Sequence, residues 1–176
     1  MEHLASSGTA QRSDSVSSSG DFVRSVLITT ALVGTLDIIA AHLHIWAASG
    51  SFPTHVFKGI AGGALGRQAV MEGGAAIVFL GVFFHYFISL TFTLLFFLAY
   101  PRIAALRKNI WVSGIAYTLF VWLTMNFVVL PFSAIQAPLP NFANKHTYFG
   151  ACVLAVVFGV PIALCAERFY RIGRRA

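Results

Sequence analysis

Asp37, His85, His44, Asn126 and Glu72 are the residues whose types and spacing could do chemistry in this chain. Asp37 stands near the middle of RSVLITTALVGTLDIIAAHLHIWAA (Arg24 to Ala48), a run long enough to cross a bilayer. A carboxylate at the centre of such a span costs roughly 2.5 to 3.5 kcal/mol on insertion scales. That cost makes Asp37 the first candidate for function. By helical rise it lies about 18 Å from the start of its span, and His85 lies about 14 Å from the same edge in the next, antiparallel span. The depths match, so an ion pair or hydrogen bond between Asp37 and His85 is expected. Histidine changes charge near neutral pH, which would suit it to be the titratable partner.

His44 follows Asp37 by seven residues and falls on the same helix face, whereas His42 points the other way. Asn126 sits at a depth near His42 in the third span, and Glu72 sits at the outer surface. Together Asp37, His44, His85, Glu72 and Asn126 are expected to line a polar cavity open to the outside. Handling of a proton, an ion or a small polar ligand is the chemistry that such a cavity would serve. The plainer alternative is that these groups are interhelical glue, worth about 0.6 kcal/mol each on average. In that case the chain would be a structural accessory subunit.

The elements that must position these residues follow from composition. Of 176 residues, 57% are apolar and only 10% charged, and the apolar residues come in runs too long for a soluble core. The expected fold is an all-α integral membrane protein with spans over about 25–48, 74–100, 110–132 and 148–166. Ser49, Gly50 and Pro53 should end the first span and Pro101 the second, while Pro161 should kink the fourth. The segment from Thr54 to Gly73 is too polar and too rich in glycine to cross. Val56, Ile60, Ala64 and Ala69 or Val70 give it a weak apolar face, so a short interfacial or re-entrant helix is expected. Gly62 and Gly66, four apart, would permit close helix contact. Residues 1–23 are rich in serine and read as a disordered tail, and 167–176 as a basic tail. The first span is too long and too polar at its centre to be a cleaved signal peptide.

Charge distribution sets orientation and excludes some functions. Nine of the twelve Lys and Arg residues fall in the N-terminal segment, the loop after the second span and the C-terminal tail. The other three are Lys58, Arg67 and Lys145. Both termini are therefore expected in the cytoplasm. The net charge of +6 sits in short flanks of apolar runs, a pattern of topology and lipid contact rather than of nucleic-acid binding.

Cys152 and Cys165 are separated by about 20 Å of helix and cannot pair with each other. No haem-attachment C-x-x-C-H, zinc-ligand cysteine pair, G-x-S-x-G elbow or phosphate-binding loop occurs. No cofactor is expected. The rival enzymatic reading is a redox protein that binds haem or a quinone through His44 and His85. With so few helices to enclose a transport path, a homodimer within the lipid bilayer is the expected assembly.

GTLDIIAA (Gly34 to Ala41), GIAGGALGRQAVMEGG (Gly59 to Gly74), the second-span stretch with His85 and VWLTMNFVVLPFS (Val121 to Ser133) also resemble a group of small bacterial inner-membrane proteins. The likeness covers about Gly34 to Leu164. It implies four membrane helices and no particular activity. Asp37, Glu72, His85 and Asn126 are among the matching positions.

Overall fold

A computed structural model of the chain describes residues 19–50, 55–143 and 145–173. These residues form helices and turns without a strand: α1 Ser19–Ser49, α2 Val56–Leu65, α3 Arg67–Glu72, α4 Ala75–Ala99, α5 Ala104–Lys108, α6 Ile110–Thr124, α7 Lys145–Leu154 and α8 Val160–Gly173. A π-turn over Met125–Val129 continues α6, and another over Ala155–Gly159 joins α7 to α8. Four rods result that are long and apolar enough to cross a membrane: Ser19–Ala47, Ala75–Ala99, Ile110–Val129 and Thr147–Gly173.

The helix α1 begins at Ser19, six residues before the expected start, so residues 19–23 are helix rather than tail. Residues 1–18 lie outside the described residues. Two effects extend the helix. Asp21 places a negative charge in the first turn, where the dipole favours it. Phe22 meets Phe97 and Phe169 edge-on, with ring centroids 6.2 and 5.9 Å apart. The helix ends at Ser49, where Gly50 takes a left-handed φ of 71° and its N–H bonds the Trp46 carbonyl at 2.8 Å. Pro53 lies outside the described residues.

The same end of the molecule corrects the expected close of the last rod. Residues 167–173 remain helical instead of forming a tail, because Phe169 and Tyr170 have partners. Tyr170 stacks on Tyr100 at 5.7 Å, and its hydroxyl donates to the Phe97 carbonyl at 2.7 Å. Val26 and Val33 of α1, Phe96, Phe97 and Tyr100 of α4, and Ile162, Ala163 and Ala166 of α8 complete a dry core there. Val121 of α6 joins the same cluster, so all four rods meet in it. Residues 174–176 lie outside the described residues.

The segment between the first two rods is two helices, not one. Gly66, at φ 84°, ends α2 and bonds the Gly62 carbonyl through its N–H at 2.7 Å. The expected glycine pair is therefore not a helix-packing stripe, since Gly66 is a terminator. Gly62 is buried against Val70 and Ile135. The close helix approach is made elsewhere: a Cβ on Gly81 would overlap the Phe57 carbonyl oxygen, so α2 lies directly on α4.

The third rod stops at Val129, short of the expected 132. Pro131 has no N–H to continue the ladder and disfavours helix at the residue before it. The Leu130 N–H instead closes the π-turn on the Met125 carbonyl at 2.8 Å. In the fourth rod, where Pro161 was expected to kink the helix, a π-turn spans Ala155–Gly159 just before it. A proline ring clashes with the carbonyl four residues back, and one extra residue in the preceding turn relieves that clash. The widened turn brings Gly159 against Gly114 of α6 so closely that a Cβ on either would overlap the other's backbone. In the basic loop after α4, the short helix α5 forms where only a loop was expected. Asn109 caps α6 by accepting from the Trp111 and Val112 N–H groups at 3.0 and 3.2 Å.

Candidate functional site

Above the aromatic core the rods part around a cavity of about 320 Å³. Its wall carries Asp37, Ile38 and Ala41 from α1, Val56 and Ile60 from α2, and His85, Ile88, Ser89 and Phe92 from α4. Val121 and Met125 of the third rod, with Leu154 and Phe158 of the fourth, close it. Phe92, Val121 and Phe158 belong to the core as well, so they form the floor. The cavity is largely apolar, and Asp37 and His85 are its two ionisable residues.

Helical spacing explains the polar side. His85 and Ser89 are one turn apart on α4, and both are buried against α1. His85 donates from Nε2 to the Gly34 carbonyl at 2.8 Å, since a carbonyl can only accept. Gly34 is three residues before Asp37, so this bond holds the imidazole at the level of the carboxylate. A glycine suits this position. A Cβ there would come within 3.0 Å of Tyr86 Cε1 and 3.2 Å of Ser89 Oγ. Tyr86 stands edge-on to His85, at 5.3 Å between centroids, and its hydroxyl shares a 2.8 Å hydrogen bond with Thr35 Oγ1. Asp37 and His85 both line the cavity, one from α1 and one from α4. The expected hydrogen bond or ion pair between them does not form. Among the described residues the Asp37 carboxylate accepts no hydrogen bond.

The other three candidates stand away from this cavity wall. His44 stacks on Phe149 of α7, with centroids 5.2 Å apart and planes 21° apart. Sharing a face with Asp37 is not enough, because two turns along α1 the neighbouring helix has changed. Asn126 donates to the Trp122 carbonyl of its own helix at 2.9 Å. Glu72 is exposed on the last turn of α3 and accepts from Gln68 at 3.0 Å. His42 donates from Nδ1 to the Ile38 carbonyl at 2.8 Å and meets the Phe57 ring at 5.6 Å. His44 and His85 have different neighbours and about ten residues of α1 between their levels, roughly 15 Å. They do not form an axial pair around one plane. Among the described residues no three His, Cys, Asp or Glu side chains gather to hold a metal ion.

Sequence reasoning missed Ser89 and the apolar walls. Ser89 carried a signal, a hydroxyl one turn from His85 in a helix otherwise dominated by phenylalanine. Below it, Thr93 and Thr30 are buried with hydroxyls that have no partner among the described residues. Elsewhere the chain satisfies its helical threonines locally: Thr91, Thr118 and Thr124 each donate to the carbonyl four residues back. No family model, curated protein or solved structure matches the chain, so the site is read from its geometry.

Proposed function

We propose that the chain is a multi-pass protein of the bacterial cytoplasmic membrane, with both termini in the cytoplasm, that binds a small, mostly apolar molecule in this cavity. Membrane insertion is supported by the four long apolar rods and by large side chains that would meet lipid, such as Phe79 at 74% exposure and Val156 at 69%. Orientation is supported by the crowding of lysine and arginine at the termini and the loop after α4.

One observation carries the binding reading: the apolar cavity of about 320 Å³ holds one carboxylate to which no group among the described residues donates a hydrogen bond. Pockets for small molecules have this composition, an apolar wall with a few convergent polar groups. Interhelical glue accounts for His85, which ties α4 to α1. It leaves Asp37 unexplained, because no group among the described residues donates to its carboxylate, so it ties no two helices together. Conduction of an ion is favoured less, since Phe96, Phe97 and Tyr100 close the bundle beneath the cavity. The cavity's walls all come from one chain, so binding does not require the homodimer.

The test is titration of the protein in phosphatidylcholine nanodiscs with the neutral dye N-phenylnaphthylamine. Saturable binding is expected for the wild type and its loss in Ala41→Phe, which fills the cavity. Cooperative unfolding of the variant would show that it is folded. Binding that is unchanged in the folded variant would overturn the reading.

A further inference from the structure

We infer that the molecule bound in the cavity is a hydrophobic ammonium, its nitrogen paired with Asp37 and its hydrocarbon laid against the apolar wall; this rests on the binding reading above. The inventory of donors and acceptors on the wall leads there. An ionised carboxylate only accepts. The Nε2 proton of His85 is already committed to Gly34. Ser89 supplies one hydroxyl. Among the described residues no lysine or arginine stands on the wall, and Lys58, the cation of α2, donates instead to the Gly73 carbonyl at 2.8 Å.

Three ligand classes can be weighed against that inventory. An anion would face the like charge of Asp37, and no lysine or arginine among the described residues lines the wall to offset it. A ligand that only accepts, such as a quinone, would find among the described residues the Ser89 hydroxyl as its neutral donor and would also face the carboxylate. An ammonium brings N–H donors and a positive charge to the Asp37 carboxylate, and a charge-assisted hydrogen bond is strongest away from water. The rings of Phe92 and Phe158 on the floor add faces that attract a cation. The size and apolar wall favour an ammonium carried on a hydrocarbon or aromatic body over a bare inorganic cation, which would leave most of the cavity unfilled.

Three probes of one shape decide the matter: phenylbutylamine, phenylbutanol and phenylbutyrate, each measured by equilibrium dialysis against the full chain in phosphatidylcholine nanodiscs and against empty nanodiscs. The wild type should bind the amine at least about tenfold more tightly than the alcohol, a difference of about 1.4 kcal/mol, with the acid weakest. Asp37→Asn should bind amine and alcohol alike. Equal affinities in the wild type, or an amine preference that survives in Asp37→Asn, would overturn the ammonium inference. Should that variant fail to fold, the order of the three probes on the wild type still decides. Failure of the charge inference leaves the alcohol and the neutral dye bound in the cavity, whereas failure of the cavity reading leaves no probe saturable.

Discussion

His85 on α4 donates a 2.8 Å hydrogen bond to the backbone carbonyl of Gly34, three residues before Asp37 on α1. This single bond joins two rods at the level of the cavity and commits one ring nitrogen as a donor. It also explains why imidazole and carboxylate can share a wall without forming a contact pair. Replacing His85 by Leu removes the donor and a buried polar group, at a cost of about 1 kcal/mol for the hydrogen bond with further loss from imperfect packing. His85→Gln, which retains an N–H donor, should lose less. Denaturation of both variants in detergent would check the order, and equal loss would show that the bond contributes little.

At Gly81 the backbones of α2 and α4 are in close contact. A methyl group placed there overlaps the Phe57 carbonyl oxygen, which is backbone and cannot rotate away. Gly81→Ala should therefore destabilise by about 1 to 3 kcal/mol, the range for overpacking. Because α2 supplies Val56 and Ile60 to the cavity wall, the same change should weaken dye binding. Gly59→Ala, with open space around its Cβ, is the control and should leave both measurements near wild type.

Thr93 is fully buried, and its hydroxyl has no partner among the described residues. Valine has nearly the same shape and no polar atom to leave unsatisfied. Thr93→Val should raise stability by about 1 kcal/mol, seen as a midpoint shift of a few degrees. A drop in the midpoint instead would indicate that the hydroxyl is hydrogen-bonded in the working protein.

Phe22 anchors the first turns of α1 through edge contacts with Phe97 and Phe169. Phe22→Ala should cost about 1 to 3 kcal/mol, below the usual loss for a fully buried phenylalanine because Phe22 is only half-buried. Amide exchange should quicken at residues 19–24 more than around Asp37. Uniform quickening along α1 would mean that the contact supports the whole helix and not its start.

The number of long apolar rods, their approximate places and the stops at Gly50 and Pro101 were legible in residue order alone. Length and hydropathy of a continuous run determine those properties, and glycine and proline act locally. The extra helical turns at both ends were not legible, because Phe22, Phe169 and Tyr170 become helical through rings supplied by other rods. For the same reason Asp37 and His85 could be placed at one depth from the sequence, since rise per residue is constant, while His44, Asn126 and Glu72 could not be excluded from their company. Depth is a property of one helix, but the direction a side chain faces matters only once its neighbours are known. The tertiary structure alone decided that the His85 donor goes to Gly34 and that apolar walls surround the carboxylate. Two π-turns and the contacts at Gly81 and Gly159 set those walls, and each depends on how closely two backbones can approach.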